Sequence, residues 1–134
     1  MTNRMRLVAA AAALLVAAPM ASLGTAHAQE TAARGQAERT ITIKGVEPRE
    51  GVFFAKGKVS PDYEDRFAIM QRKRKSASSW DDWRKFKTNS ESRYRKEIKA
   101  LKRTGTICYR VKIKGNDRFA TSYSARVCIK TTRV

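Results

Sequence analysis

The sequence is poor in histidine and in acidic residues, and each shortage excludes a kind of chemistry. It has one histidine, His27, and 12 aspartates and glutamates against 29 lysines and arginines. If the N-terminal segment that holds His27 is removed, neither a Ser/His/Asp nor a Cys/His catalytic arrangement can be assembled. Two cysteines without histidine also make a poor zinc site, which usually takes four nitrogen or sulfur ligands. We therefore expect a protein that is not an enzyme and that binds no metal and no cofactor.

Long apolar runs are absent as well, with one exception at the N-terminus. Arg4 and Arg6 precede the 17-residue apolar run Leu7–Leu23, and an A-x-A motif follows that ends at Ala28. This order is typical of a secretory signal peptide, and the run is short for a membrane helix of about 20 residues. We predict a signal peptide over residues 1–28. Cleavage there removes the sole histidine, leaves 106 residues and lowers the net charge from +17 to +15. The protein is then expected in the extracellular or cell-envelope space.

The remaining chain is predicted to have a short arm and one domain. Residues 29–38 are small and polar without a period, which favours a flexible arm. Residues 39–134 show repeated apolar–polar alternation, the pattern of half-buried strands, and predict an all-β domain. The clearest strand candidates are Arg39–Lys44, Val52–Ser60, Arg66–Arg72, Thr106–Lys114 and Tyr123–Lys130, with 45–51 as a turn and 73–79 as a basic loop.

The segment 93–103 fits two structures. Tyr94, Ile98 and Leu101 have the i, i+4, i+7 spacing of an amphipathic helix. Tyr94 and Ile98 also fall on one face of a strand. From the residues alone, helix and strand both remain open here.

The two cysteines predict a disulfide and a register. Cys108 and Cys128 both survive the predicted cleavage, and an even pair in an oxidising compartment favours a disulfide. Both lie on the polar side of their alternating runs, so we expect a bond between neighbouring strands on the outer face of a hairpin. If they face each other, the same register sets the other opposing pairs: Ile107 with Ile129, Arg110 with Arg126, and Lys112 with Ser124.

Several segments together resemble a known family. Gly57–Pro61, then Ile69–Lys73 followed by Trp80, then Gly105–Ile113 and finally Ser124–Ile129 look like the layout of bacterial secreted immunoglobulin-like and fibronectin type III-like domains. The resemblance implies a single antiparallel β-sandwich with seven strands and Greek-key connections.

The same resemblance carries two further expectations and two departures. It implies a strand at Arg93–Ala100, and it implies no catalytic residues, because such modules have none of their own. Ser92 stands where a turn glycine is usual, and the pair Cys108–Cys128 is not part of the common layout.

The basic residues are the one positive indication of a partner. A net charge of this size favours contact with an anionic polymer or envelope surface: a wall polymer, a nucleic acid or acidic headgroups. Tryptophans at 80 and 83 and Phe86 lie among the cations, and either pack in the core or stack against a ligand. The candidate polyanion-binding residues are Arg72, Lys73, Arg74, Lys75, Arg110, Lys112, Arg126 and Lys130.

Other functions remain open at this point. The basic surface can simply keep the protein soluble. A cationic effector or antimicrobial protein that attacks membranes is an alternative, which needs an exposed amphipathic helix such as 93–103 would supply. An enzyme inhibitor is a further alternative, and the sequence does not determine the oligomeric state.

Overall fold

The computed structural model describes residues 36–133, and these form nine β-strands. The predicted signal peptide and residues 29–35 of the predicted arm lie outside the described residues. No helix in the described part of the chain is long and apolar enough to cross a membrane. The strands are β1 Thr40–Ile41, β2 Lys44–Arg49, β3 Val52–Ser60, β4 Phe67–Arg74, β5 Asp81–Lys87, β6 Arg93–Ile98, β7 Gly105–Ile113, β8 Ser122–Tyr123 and β9 Val127–Thr131.

The strands form two antiparallel sheets. In the four-stranded sheet, β1 and β2 pair with one edge of β3 and β6 pairs with the other. In the five-stranded sheet the order is β5-β4-β7, and β8 and β9 both pair with the free edge of β7. The all-β prediction is confirmed, and the arrangement is compatible with a β-sandwich. The open choice at 93–103 resolves as a strand over Arg93–Ile98.

The core lies between the two sheets. Ala55 and Val59 of β3 belong to the same buried cluster as Met70 of β4 and Val111 of β7. Each fully buried side chain of valine or methionine size contributes about 1.5–3 kcal/mol, so this cluster is the main reason that the sheets stay together. Two aromatic rings also meet across the sheets, those of Phe86 and Tyr94, with centroids 5.3 Å apart.

Two predicted strand boundaries are wrong because neighbouring strands extend further than composition suggests. The expected turn 45–51 is largely strand β2, although it contains Pro48. Pro48 is tolerated because β2 is an edge strand. Its free side has no neighbouring strand, so the N–H that proline lacks is not needed for a hydrogen bond there. The expected loop at 73–79 begins two residues late, since β4 runs through Arg74 and pairs with β7 along its full basic end.

The disulfide is confirmed, and its register holds for only half of the hairpin. Cys108 lies directly opposite Cys128 in the same sheet, and Ile107 lies opposite Ile129 as predicted. Beyond Val127 the register shifts by one residue, so that Lys112 pairs with Tyr123 and not with Ser124.

A three-residue break between β8 and β9 causes this shift. Arg126 lies in the break, and the predicted pairing of Arg110 with Arg126 is therefore wrong. One extra residue is a β-bulge, and it turns the side chains of β8 to the opposite face from the one predicted. Tyr123, predicted as core, is 46% exposed, while Ser122 and Ser124 are buried.

Ser92 adopts a backbone conformation that favours glycine. Its φ is +59°, in the left-handed region, yet the side chain is buried. Ser92 Oγ accepts a hydrogen bond of 2.7 Å from the Tyr63 amide, which glycine cannot do. The strain of a serine in this conformation is thus compensated locally.

Arg39 joins the first residues of the domain to two distant loops. Its guanidinium carbon lies 4.0 Å from the Phe119 ring centroid and 4.8 Å from that of Tyr63, and Nη1 donates to the Pro61 carbonyl at 3.2 Å. Burial lowers the pKa of Arg39, and the nearby Arg66 lowers it further. Since an arginine pKa starts far above neutral pH, the side chain stays charged, and the contacts are cation–π packing.

Candidate functional site

The outward face of the five-stranded sheet collects cations from three strands. In a strand, alternate residues point to one face, so the pairs opposite each other across β4 and β7 define that face. Three such pairs are Lys73 with Cys108, Gln71 with Arg110, and Ile69 with Lys112. Of the predicted polyanion-binding residues, this register brings together Lys73, Arg110 and Lys112.

An aromatic stack lies at the centre of this surface. The guanidinium carbon of Arg110 is 4.4 Å from the Trp80 ring centroid and 4.2 Å from that of Tyr123. Lys73 Nζ lies 5.5 Å from the Trp80 ring. The shifted register after the bulge is what brings Tyr123 to this face, opposite Lys112.

Gln71 fixes the position of Arg110. Arg110 Nε donates to Gln71 Oε1 at 2.8 Å, and Gln71 Nε2 donates to Asp82 Oδ1 at 2.7 Å. Gln71 is only 5% exposed, so its amide has few other conformations available. Lys112 Nζ lies 4.0 Å from the same Asp82 oxygen. The guanidinium is therefore held by a chain of hydrogen bonds and is not a freely moving surface charge.

A second aromatic group lies along the edge of the same face. Phe67 is 52% exposed, and it lies between Lys85 Nζ at 4.3 Å and Lys87 Nζ at 5.1 Å from its ring centroid. None of these three residues is among the candidates predicted from the sequence. The alternation Lys85-Phe86-Lys87 beside a buried Phe86 would have shown that both lysines point outward.

We call the whole set the aromatic–cationic face. It combines cations and partly exposed rings, with Asp82 as an acid held by Gln71 and near Lys112. Its members are Phe67, Lys73, Trp80, Lys85, Lys87, Arg110, Lys112 and Tyr123.

The other predicted site residues have different positions. Arg72 pairs with Tyr109 and Arg74 with Ile107, so both point to the opposite side of β4 from Lys73. Arg72 lies 5.3 Å from the Trp83 ring. Of the two positions left open for Trp83, in the core or against a ligand, the structure shows packing against the core. Lys75 follows the strand end and is exposed.

The last two candidates are in the C-terminal part of the domain. Lys130 pairs with Thr106, two residues from Cys108 and so on the same outward side. Arg126 is exposed within the break between β8 and β9.

No family model, no curated protein and no solved structure matches this chain. The immunoglobulin-like and fibronectin type III-like resemblance therefore remains a prediction, and the function has to be argued from the surface itself.

Proposed function

We propose that this protein is a secreted, non-enzymatic domain of immunoglobulin-like type that binds a linear polyanion on the aromatic–cationic face. The observation that carries the proposal is the position of the Arg110 guanidinium between the rings of Trp80 and Tyr123, with further cations on both sides. Cations bind the charged backbone of a polymer, and exposed rings stack on flat groups between the charges.

Among polyanions, the aromatic groups favour single-stranded nucleic acid. Sulfated or phosphate-linked glycans and acidic headgroups would use the charges alone, whereas nucleobases would also use Trp80, Tyr123 and Phe67. Phe67 and Tyr123 are the large apolar side chains most exposed in the described chain. Isolated exposed apolar residues are common, but two of them beside cations on one face are the arrangement that single-strand binding proteins use.

The rival proposal of a membrane-active effector has less support. It needs an amphipathic helix free to insert, and the segment that could have supplied one contains strand β6, whose Tyr94 and Ile98 are buried. Nothing in residues 36–133 specifically favours an enzyme inhibitor.

Secretion fits the chemistry of the disulfide. A bond between Cys108 and Cys128 is compatible with an oxidising, extracellular location. The cleavage site at Ala28 is tested by N-terminal sequencing of the protein recovered from the medium or envelope fraction.

Binding is tested with labelled oligothymidine, heparin and anionic vesicles over a salt series. If about five phosphates are contacted, raising salt from about 50 to about 200 mM should weaken oligothymidine binding roughly 100-fold. The variant Lys73→Gln/Arg110→Gln/Lys112→Gln should lose most of the affinity. The control Lys102→Gln/Arg103→Gln/Arg133→Gln removes the same charge from exposed positions elsewhere and should stay close to the wild type.

Two results would contradict the proposal. One is equal loss in both triple variants, which would mean that net charge alone determines binding. The other is tight binding of vesicles without binding of oligothymidine or heparin, which would favour the membrane-active alternative.

A further inference from the structure

The outward face of the four-stranded sheet is also cationic, and sequence reasoning did not place it among the candidate sites. Register puts Lys44, Lys56 and Arg95 side by side in one row across β2, β3 and β6. The next row pairs Lys58 with Arg93. All five side chains are exposed. We call these five residues the second cationic face.

These rows are unfavourable without a counter-charge. Like charges directly opposite on a sheet repel each other, and here three stand in one row. Within residues 36–133, only one of these five cations forms an ion pair: Arg93 lies 3.8 Å from Glu91. Glu97 on the same face pairs with Lys99, whose hydrogen bond lowers the pKa of Glu97. An external anion would relieve a repulsion that the described acids do not.

This face has the same combination of charge and aromatic surface as the first. The guanidinium carbon of Arg95 lies 4.1 Å from the ring centroid of Phe54. A shallow groove runs beside it, lined by Thr42, Gly57 and Tyr94 and by all five cations. Gly57 lets the backbone of Thr42 come close to β3, because a side chain there would collide with the Thr42 carbonyl.

The two faces point in opposite directions. Ala55 of β3 and Met70 of β4 are both completely buried in the shared core, so the other side of each sheet faces outward. Packed sheets lie about 10 Å apart, and the outward side chains add to that separation. The Debye length at physiological salt is about 8 Å, so charges on the two faces act almost independently.

We propose that the protein has two polyanion sites, one on each sheet, and that a single molecule bridges two strands of single-stranded nucleic acid. This inference rests on the proposed function of the aromatic–cationic face and adds a second site with the same ligand class.

Bridging is tested by energy transfer between two short oligothymidines. Each is about ten nucleotides long, roughly one site, and one carries a donor and the other an acceptor dye. The wild type should give energy transfer at a ratio near one protein per two oligonucleotides. Excess protein should abolish the transfer, because each oligonucleotide is then bound to a separate protein molecule. Sedimentation establishes whether the bridging species contains one chain.

The variant Lys56→Gln/Arg93→Gln/Arg95→Gln should lose transfer at least fivefold while it still binds one oligonucleotide. A second variant, Lys44→Gln/Lys58→Gln, tests the same face with other residues. The charge-matched control Lys102→Gln/Arg103→Gln/Arg133→Gln should retain both transfer and binding. Circular dichroism checks that each variant is folded.

Failure of this inference differs from failure of the proposed function. Transfer that persists in both variants of the second cationic face, or a bridging species with two chains, would overturn the two-site proposal only. A wild type that binds no oligonucleotide would overturn the proposed function. So would equal binding by the variant Lys56→Gln/Arg93→Gln/Arg95→Gln with and without the further changes Lys73→Gln/Arg110→Gln/Lys112→Gln, because only the aromatic–cationic face remains in that background.

Discussion

Tyr123 lies directly opposite Lys112 in the five-stranded sheet, one residue away from the register that the disulfide sets. This single shift moves an aromatic ring from the expected core to the outward face, where it contacts Arg110 at 4.2 Å. The bulge between β8 and β9 therefore does more than join two strands. It completes the aromatic stack on which the proposed function depends.

Ser124 holds the bulge in place, and its loss should destabilise the domain. Its Oγ accepts from the Val111 amide at 2.8 Å and donates to the Ala125 carbonyl at 2.6 Å. Ser124→Ala leaves a buried N–H without a partner, which should lower the free energy of unfolding by about 1–3 kcal/mol. Urea denaturation measures this, with exposed Ser79→Ala as the control. Equal stability of the two variants would show that the bulge does not need this hydrogen bond.

Tyr123 should matter for stacking and not for charge. Replacing it by serine should weaken oligothymidine binding by about 1–3 kcal/mol, or roughly 5- to 150-fold, since one base loses its aromatic partner. The slope of affinity against salt should not change, because no cation is removed. Tyr123→Phe keeps the ring and should bind like the wild type. Equal weakening of heparin binding by Tyr123→Ser would contradict a stacking role.

Removal of the disulfide should reduce stability moderately. The chain-entropy model gives about 3 kcal/mol for a bond between residues 20 apart in sequence. Because Ile107 and Ile129 already hold the strands together beside it, we expect about 1–3 kcal/mol for Cys108→Ala/Cys128→Ala. Denaturation of the variant and of the reduced wild type should give the same loss. A chain that is unfolded without the disulfide would mean that the pairing of β7 with β9 contributes less stability than we expect.

Ser92→Gly tests two opposing effects at one position. Glycine relieves the positive φ of 59°, which costs a serine about 1–2 kcal/mol. It also removes the acceptor for the Tyr63 amide, which costs about 1–3 kcal/mol, and it adds entropy to the unfolded chain. We expect net destabilisation, measured by urea denaturation. A more stable glycine variant would show that backbone strain dominates at this turn.

Tyr94 should make stability fall at alkaline pH. Burial raises the pKa of Tyr94, whose hydroxyl donates to the Thr42 carbonyl at 2.6 Å. Above the unfolded-state pKa of about 10, the unfolded chain releases a proton that the folded chain keeps. The stability that this tyrosine contributes is therefore full below pH 10 and lost as pH rises toward the folded-state pKa.

The comparison with Tyr94→Phe isolates this effect from other titrating groups. The variant should be less stable than the wild type below pH 10, and the difference should shrink above it by up to about 1.4 kcal/mol per pH unit. Chemical denaturation at several pH values from about 9 to 11 measures it. A difference that stays constant over this range would exclude the linkage.

Strand positions and one register were predictable because they depend on local pattern. The alternation in Thr106–Lys114 and the two cysteines correctly predicted that Cys108 and Ile107 face Cys128 and Ile129. The prediction failed beyond Val127, since a bulge has no signature in alternation once both flanking runs keep their own period. It also failed for β2, whose Gly and Pro content resembles a turn although the strand is supported by pairing with β3.

The sequence predicted which types of residue form the candidate site, but not which individual residues belong to it. Four adjacent cations, Arg72 to Lys75, were expected to act together, but β4 continues through Arg74 and a strand sends neighbouring side chains to opposite faces. Lys73 alone joins Arg110 and Lys112 in the aromatic–cationic face.

The sequence by itself determined the charge surplus, the all-β character and the cysteine pairing, because each follows from composition or from a period within a few residues. Only the tertiary structure decided which cations share a surface. That depends on how strands distant in sequence pair, and on one extra residue between Tyr123 and Val127, which puts the side chains of β8 on the opposite face from the one that the alternation predicts.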